Sequence, residues 1–189
     1  IESNFHQETA VINHYYDATE EYGFGIKNNL LAYSKSLPGE SEYNILFTRY
    51  TPSLIFDYGD YQFETALEYN YMRYGADAYL ESYGLAPKLS YSASDIGFIF
   101  GQIKVLKKHY LQTVDKERDA LYTELNVQYQ KLIGSNMAFV FYTTLQQERK
   151  ETGNRYDVDY DRLGMRIALS YYLPQDWQLG VSAEVKGTN

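Results

Sequence analysis

Three aspartates stand at alternate positions in Asp157-Val158-Asp159-Tyr160-Asp161, a spacing of oxygen ligands that would suit a calcium loop. The match stops there. Arg162 occupies the place of the sharp-turn glycine and Ala168 that of the bidentate glutamate. The run therefore reads as a solvated loop entering a strand, and no metal is expected. His6, His14 and His109 are far apart and have no ligand spacing. There is no Gly-x-Ser-x-Gly nucleophile turn and no glycine loop of the phosphate-binding kind. The absence of cysteine removes thiolate nucleophiles, thiolate metal sites and disulfides. The chain is expected to be no enzyme and to need no cofactor.

The remaining chemistry is a set of polar residues at every second position. Gln62, Glu64, Glu68 and Asn70 alternate with Tyr61, Phe63, Leu67 and Tyr69. Glu124 and Gln128 alternate with Leu125 and Val127; Arg162 and Arg166 precede Ile167 and Leu169 in the same rhythm. Glu184 lies opposite in phase to Leu179 and Val181, and Lys88 to Leu89. Successive side chains of a strand point to opposite faces, so each stretch has one greasy and one wet face. Acidic and basic residues share the wet face. They suit cross-strand ion pairs or a water-filled passage, and not a ring of one sign selecting one ion.

The elements that carry these residues must be strands. The chain has 189 residues, among them 22 Tyr and 9 Phe, a bias toward β structure. Further strands are expected at 11–16, 26–37, 43–56, 79–91, 97–106 and 138–147, with Pro87 marking an edge or a bulge. About ten strands result, each ~9–13 residues, near the length that crosses a bilayer. Residues 115–120 are expected to be loop. Tight turns are expected at 58–60, 92–95, 133–136 and 174–176, and longer polar connections at 37–42, 73–78, 107–119 and 148–158. Short and long connections thus alternate, as in an up-and-down antiparallel sheet with short inner turns and long outer loops. Aromatics cluster near both sets of connections, as two interface belts would require.

The expected fold is all-β: an antiparallel up-and-down meander of about ten strands forming a transmembrane β-barrel or part of one. Residues 1–189 make a single barrel domain or a piece of a larger barrel. In that reading Gln62, Glu64, Glu68, Asn70, Lys88, Glu124, Gln128, Arg162, Arg166 and Glu184 face a lumen. Tyr61, Phe63, Leu67, Tyr69, Leu125, Val127, Ile167, Leu169, Leu179 and Val181 face lipid. The alternative is a soluble antiparallel barrel or sandwich with the greasy face inward, binding a ligand or a protein partner. No apolar run is long enough for a transmembrane helix, which leaves a barrel open. Export would need a leader, so the chain is expected to be a mature form or a fragment. A net charge of −8 without a basic stripe argues against nucleic acid as a partner.

The phrases YGADAYLESYGLAPKLSY (74–91) and DYDRLGMRIALSYYLPQDWQLGVSAE (159–184) resemble the C-terminal outer-membrane barrels of bacterial proteins that carry periplasmic tetratricopeptide repeats. Surface lipoprotein assembly modifiers and polysaccharide exporters are such groups. The resemblance implies a bacterial outer-membrane location, membrane lipid as surroundings, periplasmic or barrel partner subunits, and a part in transport or secretion. It transfers no catalytic residues.

Overall fold

The structure, a computed structural model, describes residues 5–18, 20, 23–151, 159–172 and 178–188. Ten strands make one antiparallel sheet in simple sequence order. They are β1 (His6–Ala18), β2 (Phe24–Ser36), β3 (Ile45–Tyr58), β4 (Tyr61–Tyr74), β5 (Asp77–Ala93), β6 (Gly97–Tyr110), β7 (Ala120–Ile133), β8 (Met137–Lys150), β9 (Tyr160–Tyr172) and β10 (Gln178–Thr188). β1 and β10 are the two edges, and among the described residues the sheet does not close on itself.

The strands are longer than the alternation alone suggested, from 11 to 17 residues. Residues 73–78, expected as a long polar connection, instead continue β4 and β5 to a tight turn at Gly75 and Ala76. Gly75 holds a φ of +62°, the left-handed conformation such a turn needs. A register shift between Met72 and Arg73 marks a bulge there. Thr113–Arg118 forms a 3-10 turn where plain loop was expected. The tight turns after β3, β5 and β7 are present, at 59–60, 94–96 and 134–136. The turn expected at 174–176 lies outside the described residues.

Strand tilt can be read from the register. The perpendicular row that begins at Tyr61, first residue of β4, runs through Tyr91, Ile99, Tyr129, Phe141 and Ile167 to Ala183. Each hairpin lifts the row by roughly two residues from the short-turn end. With ~3.3 Å per residue and ~4.8 Å per strand, that stagger gives a tilt of about 30–35°, close to what barrel closure demands.

The sheet is also curled. One cavity of about 260 Å³ is lined by residues of six consecutive strands, β1 to β6. Laid flat, six strands would span ~24 Å. The polar face is the concave one, and with the exception of Ala18 the buried positions lie on it: Ser53, Ile55, Ala66, Glu68, Asn70 and Ser82 on β3–β5, with Ala86, Leu106, Ala120, Asn126, Ala138 and Glu148 continuing across. No large side chain is fully buried, so no hydrophobic core exists among the described residues.

Pro87 sits inside β5 and not at an edge. Its missing N–H interrupts the β5–β6 pairing between Leu85 and Lys88 without changing the register. Close strand approach is strictest at Gly84, where an added Cβ would lie 1.8 Å from the backbone oxygen of Val105. Gly84→Ala is therefore expected to lower stability by about 1–3 kcal/mol, as forced overpacking does, read as a lower urea midpoint by circular dichroism.

Candidate functional site

The concave face is built from polar side chains that small neighbours allow to meet. Glu64 and Lys88 are directly opposite on β4 and β5, and pair at 2.9 Å. Lys104, on β6, pairs with Glu68, on β4, at 2.9 Å. That bridge crosses the whole of β5, which at this level presents Gly84 and Ala86. The same device recurs further round. Lys108 of β6 reaches Glu148 of β8 at 2.6 Å, and the residue of β7 opposite Lys108 is Ala120. Small residues on the middle strand thus let ion pairs span three strands.

Around these pairs runs a hydrogen-bond network. Asn70 donates to Glu68 Oε1 and to Ser82 Oγ, each at 3.0 Å. Glu124 accepts from Asn126 at 2.6 Å and from Gln146 at 2.7 Å, and Tyr122 donates to it as well. Tyr142 donates to Asn126 Oδ1 at 2.8 Å. Buried polar groups tolerate such a place only when paired in this way.

All ten residues expected on the wet face share the concave face by register. The structure joins Glu64 to Lys88 and places Glu68, Asn70 and Glu124 in the network. Gln62 bonds Asp57 instead, at 2.9 Å. Arg166 and Glu184 are opposite one another on β9 and β10, where Glu184 pairs with Lys186 at 3.0 Å. The sequence reading missed Lys104, Lys108 and Glu148; the alternation sets Asn126 on the wet face with Glu124 and Gln128, but nothing singled it out as a site residue. The alternation of Gln102 and Lys104 with Ile103 and Val105 was the available signal for β6.

The ten residues expected on the greasy face lie together on the convex face. Tyr61, Phe63, Leu67, Tyr69, Leu125, Ile167, Leu169, Leu179 and Val181 are exposed there, and Val127 is half-buried. Near the tight turns, Phe56, Tyr58, Tyr61, Tyr91 and Tyr129 form an aromatic margin on this face. Farther along the strands the register sets Tyr50, Tyr69 and Tyr83 side by side. The tyrosines expected as the second belt are arranged differently. Tyr43, Tyr74, Tyr79 and Tyr110 touch one another in a chain, with the Arg118 guanidinium 5.0 Å from the Tyr110 ring. Tyr74 and Tyr110 belong to the concave-face phase, so this cluster rims the mouth of the trough.

The remaining sequence candidates have structural partners. His109 lies 3.2 Å from Asp119 and 3.3 Å from the Tyr83 hydroxyl. Asp161 accepts from Arg149 Nη2 through Oδ1 at 2.6 Å and Oδ2 at 2.7 Å, and Asp159 accepts from the Lys150 amide at 2.8 Å. Asp157 lies outside the described residues. Among those described, no group of three acidic or histidine side chains could hold a metal ion.

Compared with family models, with curated proteins and with solved structures, the chain matches none.

Proposed function

We propose that this sheet is the wall of a transmembrane β-barrel and that the protein acts as a pore or translocator across the bacterial outer membrane. One observation carries the reading: exposure is inverted relative to a water-soluble sheet. The apolar face is exposed along the strands, with Leu67 59%, Leu85 52% and Ile103 54% exposed, whereas Glu68 is only 8% exposed. Among the described residues no second layer covers the apolar face, and a contiguous apolar surface of that kind marks contact with lipid or a partner. A lipid-facing wall with a polar interior satisfies both faces at once.

The strand directions fit closure. β1 runs toward the tight-turn end and β10 away from it, so the two edges are oriented to pair antiparallel. Direct pairing makes a ten-stranded barrel, and a larger barrel inserts an even number of strands between them. Resemblance to barrels that follow periplasmic helical repeats supports a role in secretion alongside partner subunits.

The test is fractionation followed by a gel. Expressed with an export signal, the protein is expected in outer membranes and to migrate faster unboiled than boiled. Single-channel recording in planar bilayers then reports whether the lumen conducts. Recovery as a soluble monomer without detergent would overturn the reading and favour a soluble sheet that binds its ligand on the concave face.

A further inference from the structure

The cavity enclosed by β1–β6 carries an imbalance of charge. Lys27, Arg49, Lys88 and Lys104 line it, against Glu64 and Glu68. Lys88 and Lys104 are taken up by the two carboxylates. Lys27 and Arg49 form no ion pair within 4 Å among the described residues, and although Glu64 feels the charge of Lys27 as well as that of Lys88, cations outnumber carboxylates four to two around the space. Arg49 Nε is shielded from solvent and has no hydrogen-bond partner. Directly across from Arg49 stands Asn70, itself 6% exposed. Both amide hydrogens of Asn70 are engaged in the bonds to Glu68 and Ser82, yet its Oδ1 has no donor. An orphaned donor and an orphaned acceptor therefore sit in register on neighbouring strands without bonding each other. A buried polar atom left unmatched is costly; of the two residues Arg49 lines the cavity, and its guanidinium is the group that a ligand there would meet.

We infer that this cavity is a binding site for a small oxyanion such as phosphate. The anionic oxygens accept from the Arg49 guanidinium, whose planar fork suits such groups, and Lys27 supplies the second charge. Asn13, Asn29 and Thr51 surround the space with further polar contacts. The site rests on the pore reading for its meaning: it marks the class of solute that the lumen holds on its way through.

Binding and conduction are tested separately. The protein folded in detergent micelles at low ionic strength is titrated with inorganic phosphate by isothermal calorimetry. Saturable 1:1 binding is expected. Arg49→Gln should weaken it at least tenfold, and Lys27→Gln, a second variant in case the first misfolds, by a severalfold factor. Lys131→Gln, on the convex face near a tight turn, should bind as the parent does. Sulfate, another small oxyanion, should compete with phosphate for the same site. Absence of saturable binding by the folded parent, or parental affinity in folded Arg49→Gln, overturns the site. Phosphate binding without bilayer conductance upholds the site and removes the pore; conductance without phosphate binding does the reverse.

Discussion

Leu67→Arg is expected to cost about 2–4 kcal/mol of folding stability in a lipid bilayer and less than ~0.5 kcal/mol for any folded form in plain buffer. Leu67 lies at the centre of β4, projects from the convex face and is flanked in register by Leu85. In a membrane this row is at mid-depth, where an arginine meets hydrocarbon. In water the same position is an exposed surface site, and a charge there disturbs nothing. Had the greasy face been packed into a soluble core, the substitution would instead bury an unpaired charge and abolish folding. The measurement is urea unfolding of vesicle-reconstituted protein, followed by circular dichroism. Tyr61→Arg is the internal comparison. Tyr61 begins β4 at the tight-turn margin, where the expected cost falls to about 0–1 kcal/mol. Equal effects at the two positions would remove the depth dependence and the membrane assignment with it.

The alternation that motivates this experiment was the most legible feature of the sequence. β4, β7, β9 and β10 each keep a strict phase, and the structure puts each predicted face on one side. The strand ends were less legible, for a physical reason. Hydrogen bonding between strands continues beyond the apolar band, and there the convex face turns polar: Arg73, Glu81, Lys107, His109 and Arg149 take its positions. Hydrophobic alternation stops at that level while the ladder goes on. Residues 73–78 consequently looked like a loop. Thr113–Arg118 looked like one because a single charged 3-10 turn has no apolar period to reveal it.

The site was legible in part. Glu64 and Lys88 could be placed on one face, but nothing in a linear sequence says that they are opposite one another. The pairs that skip a strand were beyond reading. They depend on register and on a small residue in the middle strand, as Gly84 and Ala86 are for Lys104 and Glu68. The orphaned Arg49 Nε was hidden for the same reason, since β3 mixes polar and apolar residues on both faces. Closure depends on what lies beside β1 and β10, which no local pattern encodes.

The second large effect concerns the bridge across β5. Lys104→Met is expected to destabilise the protein by about 3–5 kcal/mol, because it strands a buried carboxylate. Glu68 is 8% exposed, and without Lys104 it keeps only the 3.0 Å bond from Asn70. Glu124, opposite Lys104 on β7, loses a neighbouring cation at the same time. The double variant Lys104→Met with Glu68→Leu should recover most of the loss, since well-packed apolar residues can replace a buried pair at little cost. A double-mutant cycle, again by urea unfolding, separates the pair from its surroundings. The size of the single-variant effect also reports on how open the concave face is to water. A bridge shielded from water gives the full penalty, whereas one bathed in a wide channel behaves as a surface pair worth ~0–1 kcal/mol. The shielding of Glu68, Asn70 and Ser82 favours the larger value. In the proposed barrel, the narrowest stretch of the lumen would then lie at this level of β4 and β5. A solute passing it would meet the Arg49 guanidinium directly beside the bridge, where selectivity between anions and cations is most effectively exerted.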